Sequence, residues 1–252
     1  MNHPPIRCVL MLIAIVAVNA SLGCQSVISN FDMSKKQSLG LKDLRTSSVA
    51  NNGLGSNHSS RDEQSLCIET AKTLANAGHA QEAILLYEKA ESISDNKLDV
   101  DSELASLYAS VGDQTKSIER YRMALQKRVD PSTINNLAWT LIEANQIEEA
   151  HHAVSVGLER FPADERLNGS LAVIEFRRGN REQAFRIFEK LSGTSSAYHN
   201  IAVLEIDSGN SMEAKKNLQL AVQHSQDPSS RSLQLSEELN KHLASVNYKS
   251  QH

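Results

Sequence analysis

The chain predicts an all-α solenoid of about five paired helices, with one further helix closing its C-terminal end. A turn phrase recurs as "GHAQEA" at Gly78, "GDQTKS" at Gly112, "NQIEEA" at Asn145, "GNREQA" at Gly179 and "GNSMEA" at Gly209, at intervals of 34, 33, 34 and 30 residues. Apolar residues flanking each turn fall at helical spacing, as in Leu104, Leu107, Tyr108 and Val111. The composition is rich in Ala, Leu, Ser, Glu, Gln and Lys, holds only five prolines and is 4% aromatic, which favours helix. Periods of this length mark architectures in which each unit buries its apolar face only against its neighbours.

The N-terminal stretch, "MNHPPIRCVLMLIAIVAVNASLGC", belongs to no repeat. Its apolar run from Cys8 to Val18 follows a single Arg7 and rises only about 16 Å as helix, half a bilayer core. Residues 1–23 therefore read as a secretory signal peptide. "SLGC" at Ser21–Cys24 resembles the lipobox of bacterial lipoproteins, with Ser21 where that family prefers Leu. The resemblance implies a diacylglyceryl thioether on Cys24 and, because Gln25 follows rather than Asp, sorting to the outer membrane with the body facing the periplasm. Cleavage after Ala20, giving a soluble periplasmic or secreted protein, is the alternative. Cys8 leaves with the signal in either case and a lipidated Cys24 is blocked, so Cys67 is left without a disulfide partner and reads as a small buried residue.

Residues 24–63 are rich in Ser, Asn and Gly and hold no sustained apolar period, which marks a flexible tether with a reach of roughly 30–36 Å. The repeats then occupy 64–228, divided at about 64–97, 98–130, 131–164, 165–194 and 195–228. In each unit an alanine (Ala71, Ala105, Ala138, Ala172, Ala202) precedes the turn by seven residues and lets two helices approach closely. Gly, or Asn145 in its place, supplies the left-handed backbone that ends the first helix. Pro131, Pro162 and Pro228 fall between units. After Pro228, Leu235, Leu239, Leu243 and Val246 share one helical face, so 229–248 read as a capping helix.

A helix–turn–helix of this length with these small and large positions resembles the tetratricopeptide repeat. The family's first-helix pattern appears as Leu104, Ala105 and Tyr108, its second-helix pattern as Ala83, Tyr87 and Ala90, and its terminal proline as Pro162. The resemblance implies a right-handed superhelical stack whose first helices line a concave surface. Carried over position by position, it places Asn135, Trp139, Ile142, Arg166, Phe176, His199 and Val203 on or near that surface. Three departures stand out: Ser117 replaces an alanine, and Glu175 and Glu205 stand where the family prefers an aromatic. The first helices carrying those glutamates are expected to be shorter or less well packed. The fourth unit is also short by four residues around "SGTSS", where the stack is expected to change direction.

Nothing in the chain points to chemistry. HExxH, CxxC, GxSxG and phosphate-cradling glycine loops do not occur, and His151–His152 are adjacent on one helix, where their side chains diverge and read as solvated. A net charge of -4 gives no reason to expect nucleic acid. The expectation is a non-enzymatic scaffold without cofactor, metal or small-molecule substrate, whose partners are other proteins. The Lys and Asn pattern with which some cochaperone repeats clamp a C-terminal carboxylate is replaced by Ile68, Lys72, Ser102 and Ser106, so an extended strand or amphipathic helix suits the groove better than a charged tail. A lipobox followed by these repeats resembles the assembly lipoproteins of bacterial pilus and secretion systems, the tight-adherence pilus among them. An adaptor or activator of a cell-wall enzyme is the alternative.

Overall fold

The computed structural model describes residues 56–94, 98–225 and 231–250, with side chains from 60 to 241 of those spans. The expected signal peptide, Cys24, the tether as far as residue 55, and Pro228 lie outside the described residues. Eleven helices are described: α1 (Ser56–Asn76), α2 (Ala80–Ile93), α3 (Asp101–Ser110), α4 (Gln114–Lys127), α5 (Pro131–Glu143), α6 (Ile147–Arg160), α7 (Glu165–Arg177), α8 (Arg181–Ser192), α9 (Thr194–Asp207), α10 (Ser211–Gln223) and α11 (Arg231–Ser250). There is no strand among the described residues. Helix α1 starts at Ser56, so the tether expected over 24–63 gives way to helix before its predicted end.

Helices pack in chain order, α1 on α2 through to α10 on α11. The first helices of successive repeats also meet one another, α3 with α5, α5 with α7 and α7 with α9. Hydrogen bonds stitch this inner seam. Ser170 Oγ donates to Asn135 Oδ1 at 2.7 Å, and Arg166 Nη1 donates to Ser132 Oγ at 3.1 Å. His199 Nδ1 lies 3.0 Å from Ser232 Oγ on α11. The capping helix thus takes the place of the first helix of a sixth repeat, burying Leu235 and Leu239 against Leu218. The apolar interior forms three clusters, the largest running from Ala105 to Ile201 through the middle repeats.

The recurring phrase is a helix-ending turn. Gly179 and Gly209 hold φ of 89° and 81°, and an added Cβ would meet nothing within 4 Å, so the backbone conformation alone demands glycine there. Asn145 takes the same role at φ 59°. All five turns close with the long bond of the Schellman motif, as in Asn180 N to Glu175 O at 2.9 Å and Asn210 N to Glu205 O at 2.8 Å. Three starts are capped by aspartate: Asp113, Asp130 and Asp164 accept from Lys116 N, Thr133 N and Leu167 N. Pro131 is the first residue of α5, where its missing N–H costs nothing.

The helices carrying Glu175 and Glu205 are not shortened: α7 has 13 residues and α9 has 14. Nor are they loosely packed, since Leu167, Ala172, Ile174 and Ala202 are fully buried. The missing residues come out of the connection, where Gly193 alone separates α8 from α9.

Candidate peptide-binding groove

The inner faces of α5, α7 and α9 enclose a groove of about 430 Å³, within the usual range of ligand sites. Two rows run along it at the repeat intervals. The half-buried Trp139 and the buried Val173 and Val203 at the groove floor form an apolar row, and Asn136, the buried Ser170 and Asn200 form a polar row beside it. The registers follow from the sequence: equivalent residues on stacked parallel helices face the same way. Tyr121 and Phe188 reach the groove from the second helices.

The polar groups differ in how far they are engaged. Burial pushes the Tyr121 hydroxyl up, and hydrogen bonds from Ser106 and Asn136 partly offset that. Asn135 accepts from Ser170, while Arg166 is held by Ser132 and, at 3.5 Å, by Asp164. Asn200 and Glu143 have no side-chain partner among the described residues, and partial burial by the groove walls pushes the Glu143 carboxyl up.

Of the residues the sequence pointed to, Asn135, Trp139, Arg166 and Val203 line the groove. Ile142, Phe176 and His199 do not. Ile142 and Phe176 are 6% and 4% exposed and belong to the central apolar cluster with Ala184 and Phe188. They sit at the last turn of their helices, where the chain doubles back and the second helix covers them. Arg181 also lies over the Phe176 ring, 4.9 Å from its centre. His199 is buried on the seam because α11 closes that end of the stack. Asn136, Glu143, Ser170 and Asn200 were not anticipated, although Asn136, Ser170 and Asn200 repeat at the same 34- and 30-residue intervals as the turns.

The two glutamates that looked like defects are latches. Glu175, 2% exposed, accepts from Asn180 Nδ2 at 2.6 Å and Arg178 Nη1 at 3.1 Å, and lies 3.1 Å from His151 Nε2 on the preceding repeat. His151 is thus engaged between repeats rather than solvated. Glu205, also 2% exposed, accepts from Asn210 Nδ2 at 2.6 Å and from Arg181 Nε at 2.7 Å. Burial alone raises the Glu205 carboxyl, but Arg181 and Asn210 outweigh it and hold it below the usual range. The Gly-Asn phrase is explained by this pairing: the glycine gives the turn, and the asparagine side chain caps the glutamate five residues back.

A paired-helix stack with a seam of first helices and a concave inner face has known counterparts among solved structures. A tetratricopeptide repeat protein from Parabacteroides merdae matches with a TM-score of 0.57 at 15% identity, over 73% of this chain and 74% of that one. The fold is that of a tetratricopeptide repeat array. MamA from residue 41 onward, from Desulfovibrio magneticus, matches at 0.54 and 13% identity over 67% of this chain and 98% of its own. A further MamA structure matches at 0.52 and 16% identity, over 65% and 92%. No family model matches the sequence, and no curated protein sequence matches it. Identities this low establish the shared fold, and the groove's chemistry has to be read from this tetratricopeptide array itself.

No candidate metal cluster occurs among the described residues, and no described helix is long and apolar enough to cross a membrane.

Proposed function

We propose that this tetratricopeptide array is a non-enzymatic interaction scaffold that holds a segment of a partner protein across α5, α7 and α9. The observation that carries the reading is the groove itself. An apolar row of Trp139, Val173 and Val203 lies beside a polar row that includes the unpartnered Asn200 amide. Apolar contact supplies affinity and amides fix the register of a bound chain. Asn200→Arg fills the groove from a half-buried position without removing core contacts. It is expected to weaken partner binding at least about tenfold and to leave the melting temperature within a few degrees. Leu85→Arg, on an exposed side chain of α2 outside the groove, is the control and is expected to leave binding intact. Equal loss of binding in both variants contradicts the groove reading.

The scaffold works at the cell envelope, anchored to the outer membrane by lipid on Cys24 and facing the periplasm, in the assembly of a pilus or secretion machine. Support comes from the lipobox-like "SLGC" after an apolar h-region and the Ser- and Asn-rich residues that follow. One acyl chain binds a membrane only marginally, whereas a diacylglyceryl group holds it stably. Cys24→Ala is therefore expected to move the protein from the membrane to the soluble fraction. Unchanged retention contradicts lipidation, and recovery with wall synthases or hydrolases instead of pilus or secretion subunits contradicts the assembly role.

A further inference from the structure

Among the charged groups facing the groove, Glu143 stands apart. Arg166 is countered by Asp164 and bonded to Ser132. Arg177, which matches Glu143 in register on α7 but lies outside the groove lining, is ion-paired with Asp207 on α9. Glu143 is exposed at the edge of the groove and has neither an ion pair nor a hydrogen bond among the described residues. An unpaired carboxylate at the edge of an apolar groove offers an incoming cation a complementary partner and disfavours an incoming acid.

The amides add a second constraint. Asn136 and Asn200 occupy equivalent positions on α5 and α9, and a primary amide offers both donor and acceptor to a peptide unit. A bound helix satisfies its own backbone and leaves the Asn200 amide unused, whereas an extended chain presents free N–H and C=O groups to it. Neighbouring helix axes lie ~8–10 Å apart, so a chain crossing from α5 to α9 spans ~16–20 Å, or about five to six extended residues.

We infer that the groove selects an extended segment of another protein bearing a lysine or arginine, whose cation pairs with Glu143 on α5 while the backbone runs past Ser170 to Asn200. The inference rests on the groove being the binding surface and adds the charge class of what binds there. A partner whose segment carries an acid at that position meets an unrelieved like charge and is rejected.

Random peptides displayed against the full-length chain test this. The wild-type protein is expected to enrich Lys and Arg over Asp and Glu, and Glu143→Lys to reverse the preference. A synthetic winner with its cation changed to Gln is expected to bind wild type about fivefold more weakly and to bind Glu143→Gln no differently from its parent. Absence of a charge preference, or one unchanged in Glu143→Lys, overturns the inference. If such peptides still alter Trp139 fluorescence and lose binding in Asn200→Arg, the groove reading survives that failure. If they do neither, the groove reading fails as well. The chain's own basic stretch, "KKQSLGLKDLRTSS" at residues 35–48, is the competing occupant. Changing Lys35, Lys36, Lys42 and Arg45 together to Gln is expected to leave affinity for the winning peptide unchanged. A gain of about tenfold would assign the groove to that stretch and overturn the separate partner.

Discussion

Repeat two differs from repeats four and five in how it finishes the same turn. The backbone bond is identical in kind: Asp113 N to Tyr108 O at 2.9 Å in the second repeat, Asn210 N to Glu205 O at 2.8 Å in the fifth. In the second repeat the residue four before the glycine is Tyr108, 5% exposed, whose hydroxyl donates to Glu88. In the fourth and fifth it is a buried glutamate latched to the turn asparagine and to the preceding repeat. One architecture therefore tolerates three chemistries at one position, an aliphatic side chain at Leu74 and Leu141, a phenol at Tyr108 and a carboxylate at Glu175 and Glu205, and the chemistry, not the fold, sets how each end responds to pH and substitution.

The largest break is expected from removing the buried charge at each end. Asp101 is fully buried and receives Arg120 at 2.9 Å and Lys127 at 2.7 Å, while Arg120 also grips Glu91 at 2.7 Å, joining repeat one to repeat two. Asp101→Ala is expected to cost about 3 kcal/mol, because the mostly buried Arg120 keeps only Glu91 and the partly exposed Lys127 loses its buried partner. Glu205→Ala is expected to cost less, about 2 kcal/mol, because Arg181 is about half exposed and water can take it back. Glu205→Leu, which copies the Leu141 of the third repeat, is expected to lie near wild type. Chemical denaturation of each variant checks the order, and a Glu205→Leu loss equal to that of Glu205→Ala contradicts the latch account.

Next in size is the response to pH, which should separate the two ends. Burial, with the Glu88 hydrogen bond and charge, pushes the Tyr108 hydroxyl up to about 12. The unfolded chain ionises first as pH rises past about 10, so the stability that Tyr108 contributes is lost between roughly 10 and 12, by roughly 2–3 kcal/mol. Lys127, raised by Asp101, acts in the same direction. At the other end, burial and the nearby Arg231 hold the His199 imidazole below its ordinary value. The unfolded chain takes up that proton first, so stability falls as pH drops below about 6.5. The depressed Glu205 carboxyl adds a further loss below about 4.3, as pH falls toward its folded value. Hydrogen exchange corrected for intrinsic rates is expected to show α9–α11 opening before α1–α3 at mild acidity. Tyrosinate absorbance should follow loss of structure at the alkaline end.

The order of helices, the five turns and the cap were legible because each depends on local chemistry that repeats. Glycine or Asn145 at a left-handed position and alanine at a close approach announce themselves at a fixed interval. The groove was legible only in part. Trp139 and Phe176 lie on first helices at positions the family exposes, but the second helix covers the last turn of each unit, so Phe176 and Ile142 are core. His199 could not be separated from Asn135 by sequence, because its burial depends on α11 packing beside it. Glu175 and Glu205 read as departures from a family pattern. Their signal was present: a glutamate stands five residues before the asparagine of Gly-Asn in both repeats that carry that pair, and in no other repeat.

The smallest effect concerns the remaining departure. Ser117 is fully buried with no hydrogen-bond partner for its hydroxyl, where the other repeats have Ala83, Ala150, Ala184 and Ala214. Ser117→Ala is expected to stabilise the chain by about 1 kcal/mol, raising the melting temperature by about 2–4 °C. A drop in melting temperature would show that the hydroxyl is satisfied in solution.

Photo-crosslinking in intact cells tests the concave-surface account most directly. A photoreactive side chain placed at Asn200 is predicted to capture a discrete protein partner, and the same group at Leu85 to capture none. Capture from Leu85 but not from Asn200 would contradict the account.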